Sequence, residues 1–196
     1  MSKAYILPIL LAVGLTACET PPYALFPIYT DENVFADSTI FGRWDFDDES
    51  ILVVERAGEF GFKYTWSAGE EGAITGTGYT LNLGTRTFLD ISPGMSEAEG
   101  DTLPYPILPA HLFFRYDVRG DTLVLGFIPD DDWETHLSST DESFILQESG
   151  SDPDGISDWE DLLILPQKTK ELQALVTEVW DVWASEEEEE YLIRGQ

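Results

Sequence analysis

Phe60-Gly61-Phe62-Lys63-Tyr64-Thr65-Trp66-Ser67 sets an aromatic ring at every second position, with small or polar residues between. Successive side chains of a strand point to opposite faces, so the four rings share one face. A helix would scatter them. The stretch therefore predicts a β-strand with one apolar face, and that face needs a facing layer. Outward from it the same period recurs. Ile51 to Arg56 is rich in β-formers, and Ala57-Gly58-Glu59 joins it to the aromatic run as a hairpin connector. Further upstream, Trp44 and Phe46 alternate with Asp45 and Asp47. Downstream, Ala73 to Leu83 reads as a strand in which Gly76 and Gly78 allow a bulge or a bend. Thr87, Leu89 and Ile91 share one face of the next strand. Leu112, Phe114, Tyr116 and Val118 alternate with residues such as Arg115 and Asp117. After Gly120-Asp121, Leu123, Leu125 and Phe127 continue the pattern. Seven strands thus precede Pro129, joined mostly by hairpins, which favours an antiparallel meander.

Beyond Pro129 the pattern changes. Asp130 to Ser138 suits a short helix, and Phe144 to Leu146 and Leu162 to Leu165 read as strands. Thr169 can N-cap a helix over about 169–184. Leu172, Leu175, Val176, Val179, Trp180 and Trp183 follow helical spacing and form one wide apolar stripe, which must dock on something. The acids Glu186 to Glu190 oppose a helix C-terminus, so the helix stops near Ala184. Tyr191 to Arg194 is a last strand or a clasp. Ser92 to Pro109, with four prolines and two glycines, reads as a long surface loop.

The first residues belong to targeting. Ala4 to Ala17 is almost wholly apolar after Lys3. Its 14 residues span roughly 21 Å as a helix, short of a hydrocarbon core of ~30 Å, and suit a secretory segment instead. It ends in Leu15-Thr16-Ala17-Cys18, which resembles the bacterial lipobox. That resemblance implies removal of residues 1–17 and a diacyl or triacyl anchor on Cys18, the single cysteine. Two or more acyl chains hold a soluble domain stably where one does not. Glu19 is not the aspartate that the resemblance links to inner-membrane retention, so the outer membrane of a bacterial envelope is expected. Residues 18–40, with Pro21, Pro22 and Pro27, read as a tether. Its apolar Tyr23, Leu25, Phe26, Ile28, Tyr29 and Phe35 can also pack as an arm on a domain at 41–196.

Gly42-Arg43-Trp44, opening the first strand, resembles the Gly-x-Trp signature of lipocalins. The resemblance implies an eight-stranded up-and-down barrel whose closed end is plugged by Trp44, with Arg194 as the candidate arginine packed over it. Pro109-Ala110-His111-Leu112-Phe113-Phe114-Arg115 and Thr169-Lys170-Glu171-Leu172-Gln173 also look like a family of uncharacterised bacterial lipoproteins. The expected fold is mainly β, a lipocalin-like antiparallel barrel of about eight strands with one C-terminal amphipathic helix docked outside. A β-sandwich or another antiparallel barrel is the alternative.

The net charge of −28, from 10 basic and 38 acidic residues, repels nucleic acid and anionic head groups. It favours a basic partner, cations or plain solubility. Phe60, Phe62, Tyr64, Trp66, Leu112, Phe114 and Tyr116 are candidates to line a cavity for a small apolar ligand, or they fill a solid core. Asp152-Pro153-Asp154-Gly155 resembles a calcium loop. Aligned on Gly155, the candidate ligands are Asp152, Asp154, Asp158 and Asp161. The first ligand position then falls on Gly150, so the readings are a weak calcium site or an acidic turn. Catalysis finds no support: Cys18 is committed to lipid, His111 and His136 are the two histidines, and no Gly-x-Ser-x-Gly or His-Glu-x-x-His occurs. Two functions remain open: an envelope lipoprotein binding a small apolar ligand in its barrel, and an acidic, ligand-free interaction lipoprotein meeting a basic envelope protein.

Overall fold

The computed structural model describes residues 22–46, 50–68, 73–98, 101–103, 110–139, 145–147, 162–183 and 188–195. The chain enters through an arm containing β1 (Tyr23–Ala24), β2 (Val34–Phe35) and a 3₁₀ turn at Ser38–Ile40. There follow β3 (Gly42–Asp45), β4 (Ser50–Ala57), β5 (Gly61–Ala68), β6 (Ala73–Leu83), β7 (Arg86–Ala98), β8 (Asp101–Leu103), β9 (Leu112–Arg119) and β10 (Thr122–Phe127). Then come α1 (Asp130–Ser139), β11 (Ile145–Gln147), β12 (Leu162–Leu165), α2 (Thr169–Trp183) and β13 (Glu188–Arg194).

Eight strands close into an antiparallel up-and-down barrel in the order β3-β4-β5-β6-β7-β9-β10-β13, with β13 pairing back onto β3. Closure pairs both edges of every barrel strand and removes the aggregation hazard of a free edge. The barrel is therefore completed only after α2, by the segment read as a last strand or a clasp. That strand starts earlier than Tyr191 and takes up Glu188, Glu189 and Glu190, which pair with Phe127, Gly126 and Leu125. The acids that end the helix thus begin a strand.

The loop expected over 92–109 is partly sheet. β7 runs on to Ala98, and β8 pairs back onto Ser96, Glu97 and Ala98. Pro93 and Gly94 hid this extension. The β6–β7 register shifts between Ile74 and Gly76, and Pro93 sits opposite Gly76 beside that shift, where a missing N–H is tolerated. β11 and β12 do not join the barrel. They form a small separate sheet with β1, which lies parallel to β12.

Two cores result. The inner one lies within the barrel and comprises Trp44, Phe62, Tyr64, Trp66, Leu112, Phe114 and others. The outer one lies between the barrel wall and a layer made by α1, α2, the small sheet and the arm. Leu172, Leu175, Val176, Val179 and Trp180 of α2 are buried there against Leu81, Phe88 and Phe113, and Trp183 packs at the margin. The apolar stripe thus docks outside the barrel, as its width required. α2 begins at Thr169 itself, and Glu171 reaches back to accept from Lys168 N–H at 3.3 Å. Residues 22–40 are packed on the barrel: Ala24, Ile28 and Ile40 are buried, while Phe26 is exposed.

Candidate ligand site inside the barrel

One end of the barrel is sealed by the arm. The Trp44 indole N–H donates to the Ile40 carbonyl at 2.7 Å. The Arg194 guanidinium lies 4.2 Å from the Trp44 ring centroid and donates to the carbonyls of Phe41 at 3.2 Å and Thr39 at 2.9 Å. A cation over an indole face contributes ~0.5–2 kcal/mol, more as it is desolvated. Gly42 stands at φ +131°, and a Cβ there would meet Arg194 Nη1 at 3.2 Å, so the glycine leaves room for the arginine. Tyr116 Oη donates to Asp37 at 2.8 Å, and the Thr80 hydroxyl donates to the Phe35 carbonyl. Burial, then the bond to Asp37, pushes the Tyr116 phenol far above its ordinary value.

Above this seal the wall is aromatic. Phe62, Tyr64, Trp66, Leu112, Phe114 and Tyr116 are all buried in the inner core. Phe60 is not among them. It lies in the turn before β5 and is 42% exposed, because the hairpin ends the alternation one residue short of it. Phe62 and Tyr64 face Gly78 and Gly76 across the β5–β6 pair. A Cβ added at either glycine would sit 2.5 Å from the opposite ring. The rings therefore lie over the neighbouring strand, along the wall, where a side chain at Gly76 or Gly78 would displace them.

Two polar atoms in this wall are unsatisfied. Tyr64 Oη and Trp66 Nε1 belong to side chains each 2% exposed, and among the described residues neither has a hydrogen-bond partner. Leaving such a buried donor unmade costs about 1–3 kcal/mol. Burial also pushes the Tyr64 phenol well above its ordinary value, so it stays a protonated donor at neutral pH. Trp133 and Trp180 in the outer core also lack an acceptor, but there the rings meet edge-on: Trp180 lies at 5.0 Å and 89° to Phe88, and Trp133 at 5.7 Å and 71° to Phe113. Edge-to-face contact offsets part of that cost. Trp66 meets Phe46 at a tilted 49°.

A buried ion-pair geometry escaped the sequence reading. Asp90, 1% exposed, accepts from Ile28 N–H at 2.7 Å and meets His111 Nδ1 at 2.6 Å. Alternation places Asp90 on the outer face of β7, but the arm covers that face. The motif carrying His111 thus pins the arm, with Ala24 and His111 exchanging backbone hydrogen bonds at 2.9 and 2.8 Å.

Cys18 and the candidate calcium ligands Asp152, Asp154, Asp158 and Asp161 lie outside the described residues. Among the described residues no group of three or more His, Cys, Asp or Glu could hold a metal ion. No described helix is long and apolar enough to cross a membrane. In comparisons with known proteins, no family model, curated protein or solved structure matches the chain.

Proposed function

We infer that this chain is an envelope lipoprotein, anchored through Cys18, whose barrel holds a small amphipathic ligand. The observation that carries the reading is the pair of buried donors, Tyr64 Oη and Trp66 Nε1, in the aromatic wall of the barrel interior. A barrel of eight strands is wide enough to fill with side chains or to hold one small ligand. Two unsatisfied donors on one strand favour the second outcome, since among the described residues neither has the edge-to-face ring contact that Trp133 and Trp180 have in the outer core. The lipobox-like Leu15-Thr16-Ala17-Cys18 supplies the anchor, and Glu19 favours the outer membrane. Native mass spectrometry of the gently purified chain tests the reading. A bound small molecule, lost on unfolding, is the expected result. A bare polypeptide mass, together with no uptake of any apolar probe, would sink it.

The charge of −28 favours a second reading, in which the domain docks a basic envelope protein by its surface. Such a complex should fall apart as salt rises, whereas an apolar ligand stays bound. A partner retained unchanged at high salt would rule out a charge-driven contact.

A further inference from the structure

Among the described residues, two of the exposed large apolar side chains stand side by side. Tyr191, 51% exposed, and Ile193, 54% exposed, flank the buried Leu192 and point outward from β13. The layer that covers the barrel elsewhere packs on Leu81, Phe88 and Phe113, outward from β6, β7 and β9. Charge is balanced around the bare strand. On β9, β10, β13 and β3 the outward charged residues pair off as Arg115 with Glu189, Arg119 with Asp117 and Arg43 with Asp45. This wall is locally neutral in a chain whose net charge is −28.

Neutrality narrows what can meet it. A basic protein is drawn more strongly to the rest of the surface. A second copy is repelled by that same surface, except where two neutral walls face each other. At 150 mM salt the screening length is about 8 Å, so the charges near the contact decide the outcome.

The wall also complements itself. The register sets Asp45, Ile193, Thr122 and Arg119 side by side in one row across β3, β13, β10 and β9. The row is acidic at one end and basic at the other, with Ile193 between. Turning a second copy by 180° about the line of β13 lays Ile193 on Ile193. It also brings Asp45 of each copy to the side where the other carries Arg119. The Arg43–Asp45 and Arg119–Asp117 pairs are exposed, so exchanging them for contacts across the interface costs little.

We propose that two copies of this chain pair through the outer wall centred on Tyr191 and Ile193, and that salt promotes the pairing. Two exposed apolar side chains per copy place it among transient contacts. Salt screens the −28 of one copy from that of the other and leaves the apolar contact standing. Docking of a basic protein has the opposite salt dependence.

The test cross-links single-cysteine variants of the full chain with a short bismaleimide in neutral detergent. Sodium chloride is set at about 10 mM, 150 mM and 1 M, which spans screening lengths from about 30 to 3 Å. Ile193→Cys should give a cross-linked dimer whose yield rises several-fold from the lowest salt to the highest. The parent chain, which reports any reaction at Cys18, should stay monomeric throughout. So should Val182→Cys, placed on α2 where the parent valine is 59% exposed. Tyr191→Cys is the second variant, so the outcome survives if Ile193→Cys misfolds by near-ultraviolet circular dichroism. Adding Asp45→Arg sets like charges across the interface and should lower the yield, and adding Arg119→Asp to that variant should restore it. Equal yields from Ile193→Cys and Val182→Cys overturn the pairing, as does a yield that falls with salt. A dimer indifferent to Asp45→Arg overturns the two-fold arrangement.

Discussion

Tyr64 and Tyr116 share the inner face of the barrel and differ in one bond. Tyr116 Oη has the Asp37 carboxylate, and Tyr64 Oη has no acceptor among the described residues. Removing each hydroxyl should therefore act with opposite sign. Tyr116→Phe loses a hydrogen bond to a charged group and leaves Asp37 without that donor, a loss of about 1.5–3 kcal/mol. Tyr64→Phe removes a donor that nothing satisfies, so the ligand-free protein should be unchanged or up to about 1 kcal/mol more stable. Urea denaturation of lipid-stripped protein checks both. If Tyr64→Phe is as destabilising as Tyr116→Phe, the Tyr64 hydroxyl has a partner after all. Alkali gives a further reading of the same residues. Both phenols are pushed up by burial, Tyr116 also by Asp37, so in the folded state they keep their protons where unfolded tyrosine, with pKa ~10, begins to lose them. Over that window the unfolded chain binds fewer protons, and stability falls as pH rises. Tyr64→Phe should flatten that fall.

At the scale of elements, β5 and β6 work as a unit. The aromatic alternation of β5 is plain in the sequence, and so are the glycines of β6, which allow a bulge or a bend and lie at or near the register shift between Ile74 and Gly76. Their closer role is the seat they give the rings. Gly78→Val would set a Cβ 2.5 Å from Phe62 Cζ and 2.6 Å from the Asp90 carbonyl. Backbone cannot withdraw as a flexible side chain can, so the strand pair must part or Phe62 must leave its rotamer. Overpacking of this kind costs typically 1–3 kcal/mol, and a thermal scan should show the loss. A Gly78→Val protein as stable as the parent would mean that Phe62 has free space elsewhere. The hairpins and the docked helix were legible because each depends on residues close in sequence. The arm's role at the seal was not. Asp37 receives the Tyr116 phenol and Thr39 the Arg194 guanidinium, 79 and 155 residues away, and contacts across such sequence distances leave no local period to read. Asp90 was missed for the same reason. Alternation says outward, and whether outward means water depends on what covers that wall.

For the whole molecule, charge is the dominant unbalanced quantity. Ten basic residues cannot neutralise 38 acidic ones, and four of the six described arginines are already paired with carboxylates: Arg43 with Asp45, Arg86 with Asp181, Arg115 with Glu189 and Arg119 with Asp117. Most of these pairs are exposed and contribute little each. The remaining carboxylates repel one another more in the compact state than in the expanded chain, so folding works against the net charge of −28. Salt should relieve this. The screening length shrinks from about 30 Å at 10 mM to roughly 8 Å at 150 mM, shorter than a small domain is wide. The urea midpoint should therefore rise steadily with sodium chloride and then level off. Calcium and magnesium at matched ionic strength separate screening from a specific site. If Asp152, Asp154, Asp158 and Asp161 make an acidic turn, the two ions act alike. A rise peculiar to calcium, removed by Asp154→Asn, would establish the loop as a calcium ligand set. A midpoint indifferent to every salt would instead show that the acids are spaced widely enough to ignore one another, and the charge would then bear on partners rather than on stability.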